Sequence, residues 1–284
     1  MLFNPILDCF AQQAPISVMV RSALEYAHDP ATIDALFHDT AEQQHEKTLL
    51  FSSVVDLMTL VVARVQPSRN ATYQAASATL PISLTSVYTK INGTETAVSA
   101  ALVAHSAIRL QNVIDAMASG LEPWLTGYRF RVMDGNHLPS TERRLDVLRQ
   151  CPAGPLPGRA LVVLEPDAML ATYMLPCEDA HAQERSTTQD ILALAEFRDC
   201  RIADRNFCTF ALLNGIATRQ AFFVIRHHAK LRIVSSGRRD TVGEARRAKC
   251  SSRRLRLKEK MAPFCRHGAL YYAWIHQREM ARRR

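Results

Sequence analysis

The chain has 284 residues, 48% apolar and 22% charged, enough to bury a core in about two domains, which excludes a disordered or low-complexity class. Seven cysteines, odd in number and with no Cys-x2-Cys pair, predict reduced thiols rather than a disulfide framework or a zinc site. No run of eighteen apolar residues occurs and no basic-then-apolar leader follows Met1, so no membrane contact and a cytoplasmic location are expected.

The net charge of +8 is unevenly placed. Residues 237–284 hold 15 Lys or Arg against 4 Asp or Glu, a net +11, while residues 1–236 hold 20 against 23, a net −3. Such a basic tail is a nucleic-acid arm or a segment foreign to the fold.

Residues 1–125 read as helical. Ser17 opens a first segment with Val18, Val20 and Leu24. Asp29-Pro30 then supplies an N-cap and a first-turn proline ahead of Ile33, Leu36 and Phe37. A third helix is predicted from about Glu42 to Val65, with Leu49, Leu50, Val54, Leu57, Met58 and Val61 on one broad face. Ser83 can cap a segment that reaches Asn92 and stops at Gly93, and Thr94 then starts a long helix to Gly120. The stretch from Thr72 to Asn92, broken at Pro81, fits a helix-turn-helix whose second helix would offer Ser86 and Lys90 to DNA. It fits a bundle helix with a polar outer face equally well.

From Leu125 the period turns strand-like, and the domain boundary is placed there. Arg129–Met133 alternates and ends in Asp134, with Gly135 and Asn136 predicted to turn the backbone. Cys151–Gly158 is a Pro- and Gly-rich loop. Two apolar runs around Glu165-Pro166-Asp167 predict an antiparallel hairpin. An acidic segment with Glu178, Asp179 and Glu184 leads into a helix carrying Ile191, Leu192 and Phe197. A strand then runs from Cys200 to Asp204, a helix from Phe207 to Asn214-Gly215, and an apolar strand from Ala221 to Arg226. Three antiparallel-type strands, a helix, a strand, a helix and a strand give the ribonuclease H-like order, although another mixed α/β layer fold has the same strand count. His227-His228 is no metal pair, since adjacent residues of an extended chain point to opposite sides.

Asp134 and Asp204 each close an apolar strand, and each stands within two residues of an Asn. Singly, such an Asp is a solvated turn residue; as a pair at neighbouring strand ends they can face one cleft, and their hard oxygens suit magnesium. Met133-Asp134-Gly135-Asn136-His137-Leu138 and Ile202-Ala203-Asp204-Arg205-Asn206-Phe207-Cys208-Thr209 resemble the first and second acidic motifs of insertion-sequence DDE transposases, most nearly those of insertion-sequence family four. The resemblance covers roughly residues 1–236. It implies a helical domain, residues 1–125, that binds transposon-end DNA. It further implies a ribonuclease H-like catalytic domain, residues 126–236, with a mixed sheet flanked by helices. Asp134 and Asp204 would be catalytic metal ligands for Mg2+. Arg205, beside the second acid, can either bind a DNA phosphate bidentately or form an ordinary ion pair. The implied partners are double-stranded DNA, both terminal inverted repeats and target, and a second copy of the chain or a full-length relative.

The family's third acid sits in a Tyr-x2-Arg-x3-Glu-x6-Lys signature. Glu244 and Glu259 lack the Tyr and the Arg; Glu279 has Tyr272 seven positions before it but Ile275 in place of the Arg. After Ser236 no strand pattern is predicted. Residues 237–284 are therefore read either as a DNA-binding arm or, preferably, as an out-of-frame, unfolded extension of a truncated copy with a defective catalytic site. A non-catalytic DNA-binding or dimerising fragment that interferes with a full-length transposase is the alternative.

Overall fold

In the computed structural model, which describes residues 12–44, 48–78, 80, 82–141, 156–177, 187–226, 233–235, 240–245, 248–257 and 270–274, local capping sets the first helices. Helix α1 (Pro15–Ala27) starts at Pro15 and not at Ser17, because a first-turn position needs no N–H and accepts the proline φ. Helix α2 (Pro30–Thr40) follows the expected rule: the Asp29 carboxylate accepts from the Thr32 N–H at 3.2 Å, with Pro30 in the first turn.

Helix α3 (Phe51–Val62) is shorter than its apolar stretch predicts. Its N-cap residue, Leu50, has no capping oxygen; Asp34 of α2 supplies one, accepting from the Ser52 N–H at 2.8 Å and the Ser52 hydroxyl at 2.9 Å. Helices α4 (Arg69–Ala76) and α5 (Leu84–Gly93) are capped by Ser68 and Ser83. Thr94 does not start the next helix. It closes α5, donating from Oγ1 to the Lys90 carbonyl at 2.9 Å, and α6 (Thr96–Ala116) begins after Glu95. The Glu95 carboxylate gathers the N–H groups of Gln43, Glu42 and Gln44 instead, which holds its carboxyl below the usual range.

Ile33, Phe37, Phe51, Val54, Val87 and Val98 form the centre of the helical core, with the Phe37 and Phe51 rings stacked at 4.9 Å. Each such side chain stabilises the fold by about 1.5–3 kcal/mol relative to exposure. Among the described residues, α6 is the one helix long and apolar enough, by length and composition, to cross a membrane. Its His105, Ser106 and Arg109 are hydrogen-bonded to the α1–α2 corner.

Two units divide the chain, one of Met1–Gly120, Ser140–Leu156 and Leu170–Pro176, the other of Leu121–Pro139, Pro157–Met169 and Cys177–Arg284. The protein is a mixed α/β fold whose five-stranded mixed sheet, in the order β3-β2-β1-β4-β5, is flanked by helices. Its strands are β1 (Arg129–Thr141), β2 (Leu156–Glu165), β3 (Leu170–Cys177), β4 (Asp199–Ala203) and β5 (Phe222–Ile225). The four residues between β2 and β3 close the expected hairpin, with Met169 at φ 55. β1, β4 and β5 run parallel. Parallel neighbours need crossovers, and between β4 and β5 this is a 3-10 turn at Arg205–Phe207 followed by α8 (Phe210–Thr218), capped by Thr209.

Three local expectations are corrected here. β1 does not turn at Gly135-Asn136; it continues through them to Thr141, because it lies between β2 and β4 and outruns β4. α8 does not stop at Asn214-Gly215. A Cβ at Gly215 would lie 2.4 Å from Leu192 Cδ1 of α7 (Thr188–Ala193), so this glycine serves the close approach of two helices, and the turn after α8 falls at Gln220 with φ 55. Strands also occur where none is predicted: β6 (Ile233–Ser235), β7 (Asp240–Ala245), β8 (Ala248–Leu257) and β9 (Leu270–Trp274) form an antiparallel sheet around β8. The Leu255-Arg256-Leu257 alternation and the aromatic Tyr271-Tyr272-Ala273-Trp274 run suit that geometry. Glu178, Asp179, Glu184, His227 and His228 lie outside the described residues.

Candidate functional site

The parallel register determines which residues share the sheet's carboxyl edge. β1 and β4 pair Arg129 with Asp199, Phe130 with Cys200, Arg131 with Arg201 and Val132 with Ile202. Two residues further along each chain stand Asp134 and Asp204. The last paired rung is Val132 with Ile202; Asp134 follows it within β1, and Asp204 follows it just past the end of β4. Both are exposed. The separation in sequence is 70 residues, and the acids stand at the same distance from the paired residues Arg129 and Asp199.

Asp204 leaves β4 in an extended conformation, φ −77 and ψ −179, and caps the 3-10 turn by accepting from the Asn206 N–H at 2.8 Å. Arg205, the first residue of that turn, is exposed beside it. A further cation was missed in the sequence. β4 and β5 pair Ile202 with Val224 and Ala203 with Ile225, and the Arg226 N–H donates to the Ala203 carbonyl at 3.3 Å. Arg226 therefore stands next to Asp204 on the same edge. The available signal was a basic residue closing the apolar run Ala221–Ile225, a feature whose meaning depends on the register.

Below this edge the two faces of the sheet differ. On the acids' face lie Phe130, Val132, Ile202 and the buried Cys200, whose thiol is pushed up to about 11 by burial with Asp199 adjacent in the chain, so it is no nucleophile at neutral pH. On the opposite face Asp199 and Arg201 are both 1% exposed and joined at 3.0 Å. Asp199 also meets Arg129 at 3.0 Å, and Arg201 donates to the Leu194 carbonyl. Arg129 pairs with Glu196 at 2.5 Å and holds its carboxyl below the usual range. Arg131 pairs with Glu165. This network lies behind β1 and β4 and sets their register.

Lys90 and Ser86, the two α5 residues singled out for DNA, differ in their surroundings. The Lys90 ammonium lies 3.9 Å from the Phe37 ring centroid, a cation–π contact within the helical unit. Ser86 is exposed and hydrogen-bonds Ser83 at the start of α5, on a polar stripe with Thr85, Thr89 and Asn92. Tyr73 donates to the Ile82 carbonyl at 2.6 Å and Arg69 covers the Tyr88 ring at 4.6 Å, so both residues tie α4 to the segment carrying α5.

Asp134 and Asp204 together suit a hard divalent cation, offering two of the six or more oxygens that such an ion takes. Among the described residues no group of three or more His, Cys, Asp or Glu side chains is placed to hold a metal. No protein-family model matches the chain, and no curated protein matches it.

Proposed function

We propose that this chain is a DNA-binding protein of the insertion-sequence DDE transposase class, with Asp134 and Asp204 as ligands for Mg2+. The observation that carries the reading is the β1–β4 register, which makes the strands bearing these two acids parallel neighbours, each acid two residues beyond the Val132–Ile202 pair. The strand order β3-β2-β1-β4-β5, with β1, β4 and β5 parallel, supports the finer reading of a ribonuclease H-like sheet. Arg226 and Arg205 beside the acids suit a DNA phosphate, which guanidinium groups bind in bidentate fashion. The Thr85, Ser86, Thr89 and Asn92 stripe on α5 suits a role for residues 1–125 in gripping duplex DNA at the terminal repeats, with the cytoplasm as the compartment. Magnesium, when bound, polarises a phosphodiester and activates water. Two carboxylates form half of a two-metal site, so strand cleavage and transfer are expected to be defective in this chain. It would then act by binding DNA, alone or paired with a second copy or a full-length relative.

The test has two arms. In a mobility-shift assay the purified chain is expected to bind terminal-repeat duplex, with affinity falling steeply with salt. In a strand-cleavage assay with Mg2+ it is expected to show no product. Robust cleavage abolished by Asp134→Ala and by Asp204→Ala would keep the two acids and overturn the defect. Absence of DNA binding in the first arm would remove the reading itself.

A further inference from the structure

Charge is segregated along the helices. From Leu57 to Thr94 the chain holds three Lys or Arg and no Asp or Glu, whereas the rest of residues 1–120 holds ten Asp or Glu against three Lys or Arg. The two acids that border the acid-free stretch are engaged on its far side. Asp56 lies within electrostatic reach of His28, just past α1, and Glu95 accepts from the N–H groups of Glu42, Gln43 and Gln44. Of the three cations in the stretch, Lys90 is turned onto the Phe37 ring. Arg64 and Arg69 are exposed, and among the described residues neither is ion-paired with an acid. Arg69 lies 4.6 Å over the Tyr88 ring of α5, and Tyr88 shares a helix face with Thr85 and Asn92, three and four residues away, so Arg69 stands beside the exposed stripe of α5. Arg64, at φ 58, holds a left-handed position after α3 that suits glycine better. Five residues separate it from Arg69, a span of at most about 18 Å, within reach of neighbouring phosphates, which recur about every 3.4 Å along each DNA strand.

We propose that Arg64, Arg69 and the exposed stripe of α5 form one docking surface for duplex DNA, in which the two guanidinium groups neutralise backbone phosphates and the stripe meets the groove. The surface rests on the DNA-binding function proposed above, and it names the side of the helices that meets the duplex and the charges that hold it there. Phosphates are drawn to the acid-free side and repelled by the carboxylates of α1, α2 and α6, which restricts the helices to one docking orientation. A guanidinium suits the anchoring role, being permanently charged and able to bind a phosphate through two parallel hydrogen bonds. The stripe, Thr85, Ser86, Thr89 and Asn92, carries no charge. Binding therefore divides: the two arginines supply a salt-dependent part that is the same for every sequence, and the stripe supplies hydrogen bonds to base edges and phosphates.

Binding of the full chain to a mixed-sequence duplex of about 30 base pairs, followed by fluorescence anisotropy between about 50 and 200 mM salt, tests the surface. Each phosphate contact contributes about 0.9 to the slope of log affinity against log salt, so Arg64→Gln/Arg69→Gln is expected to flatten that slope by about 2. Arg64→Lys/Arg69→Lys, which keeps the charge, is expected to retain the wild-type slope, and Arg21→Gln on α1 to leave it unchanged. Helical ellipticity shows whether each variant is folded; if Arg69→Gln disturbs α4, the exposed Arg64→Gln alone is expected to flatten the slope by about 1. A wild-type slope in the folded Gln variants, or an equal flattening by Arg21→Gln, would overturn the surface and leave the DNA-binding function standing. Absence of binding by the wild type at about 50 mM salt would overturn both.

Discussion

Among the described residues between Ile33 and Val98, every buried side chain except Ser52 and Thr72 is apolar, whereas β4 buries an aspartate and an arginine two residues apart. The helices are held together by aliphatic packing and the Phe37–Phe51 stack. The sheet unit places charge at its centre, where Asp199 answers Arg201 and Arg129, and Glu165 answers Arg131. The difference follows from strand pairing. Arg131 and Arg201 are register partners, so two like charges meet on one rung, and each needs its own carboxylate to remain there. A helical core specifies which faces meet and tolerates small slides; a buried ion network demands one register, since a one-residue slip moves every side chain to the other face.

This contrast can be broken by measurement. The two tryptophans, Trp124 and Trp274, both belong to the second unit, so their fluorescence follows that unit alone, while helical ellipticity is dominated by the first. The largest effect is expected from Asp199→Ala, which strips the acceptor from buried Arg201 and should cost about 3–5 kcal/mol in the fluorescence-detected urea transition. An equal fall in the ellipticity transition would show that the units unfold as one block. Phe37→Ala should lower the ellipticity transition by about 3 kcal/mol, because it opens a cavity against Phe51 and removes the ring beneath Lys90. A fluorescence shift of the same size would contradict separate cores. The smallest effect is expected from Asp29→Ala, about 1 kcal/mol for a lost N-cap, again confined to the helical signal.

Features carried by a few consecutive residues are legible in the amino-acid sequence. The caps at Asp29 and Ser83, the hairpin between β2 and β3, and the apolar β5 all follow from bonds made within four residues or from simple periodicity. The start of α3 is not legible there, because its capping carboxylate belongs to Asp34, eighteen residues before Ser52. Gly215 misleads for a similar reason: a glycine before a predicted turn looks like a helix stop, and only the approach of Leu192 shows that the missing Cβ is what matters. Arg201 gives no sign of burial, since a charged residue on a strand ordinarily faces water and its acceptors, Asp199 and the Leu194 carbonyl, come together only in the packed sheet.

The candidate site divides along the same line. By itself the amino-acid sequence determined that Asp134 and Asp204 each end an apolar, alternating run, because side-chain alternation is a local property of an extended backbone. Only tertiary structure decided that the two runs are parallel neighbours and that Arg226 stands next to Asp204. Register between strands 70 residues apart is set by what packs behind them, here the buried charges of β1 and β4, and no window of sequence contains both sides of that contact.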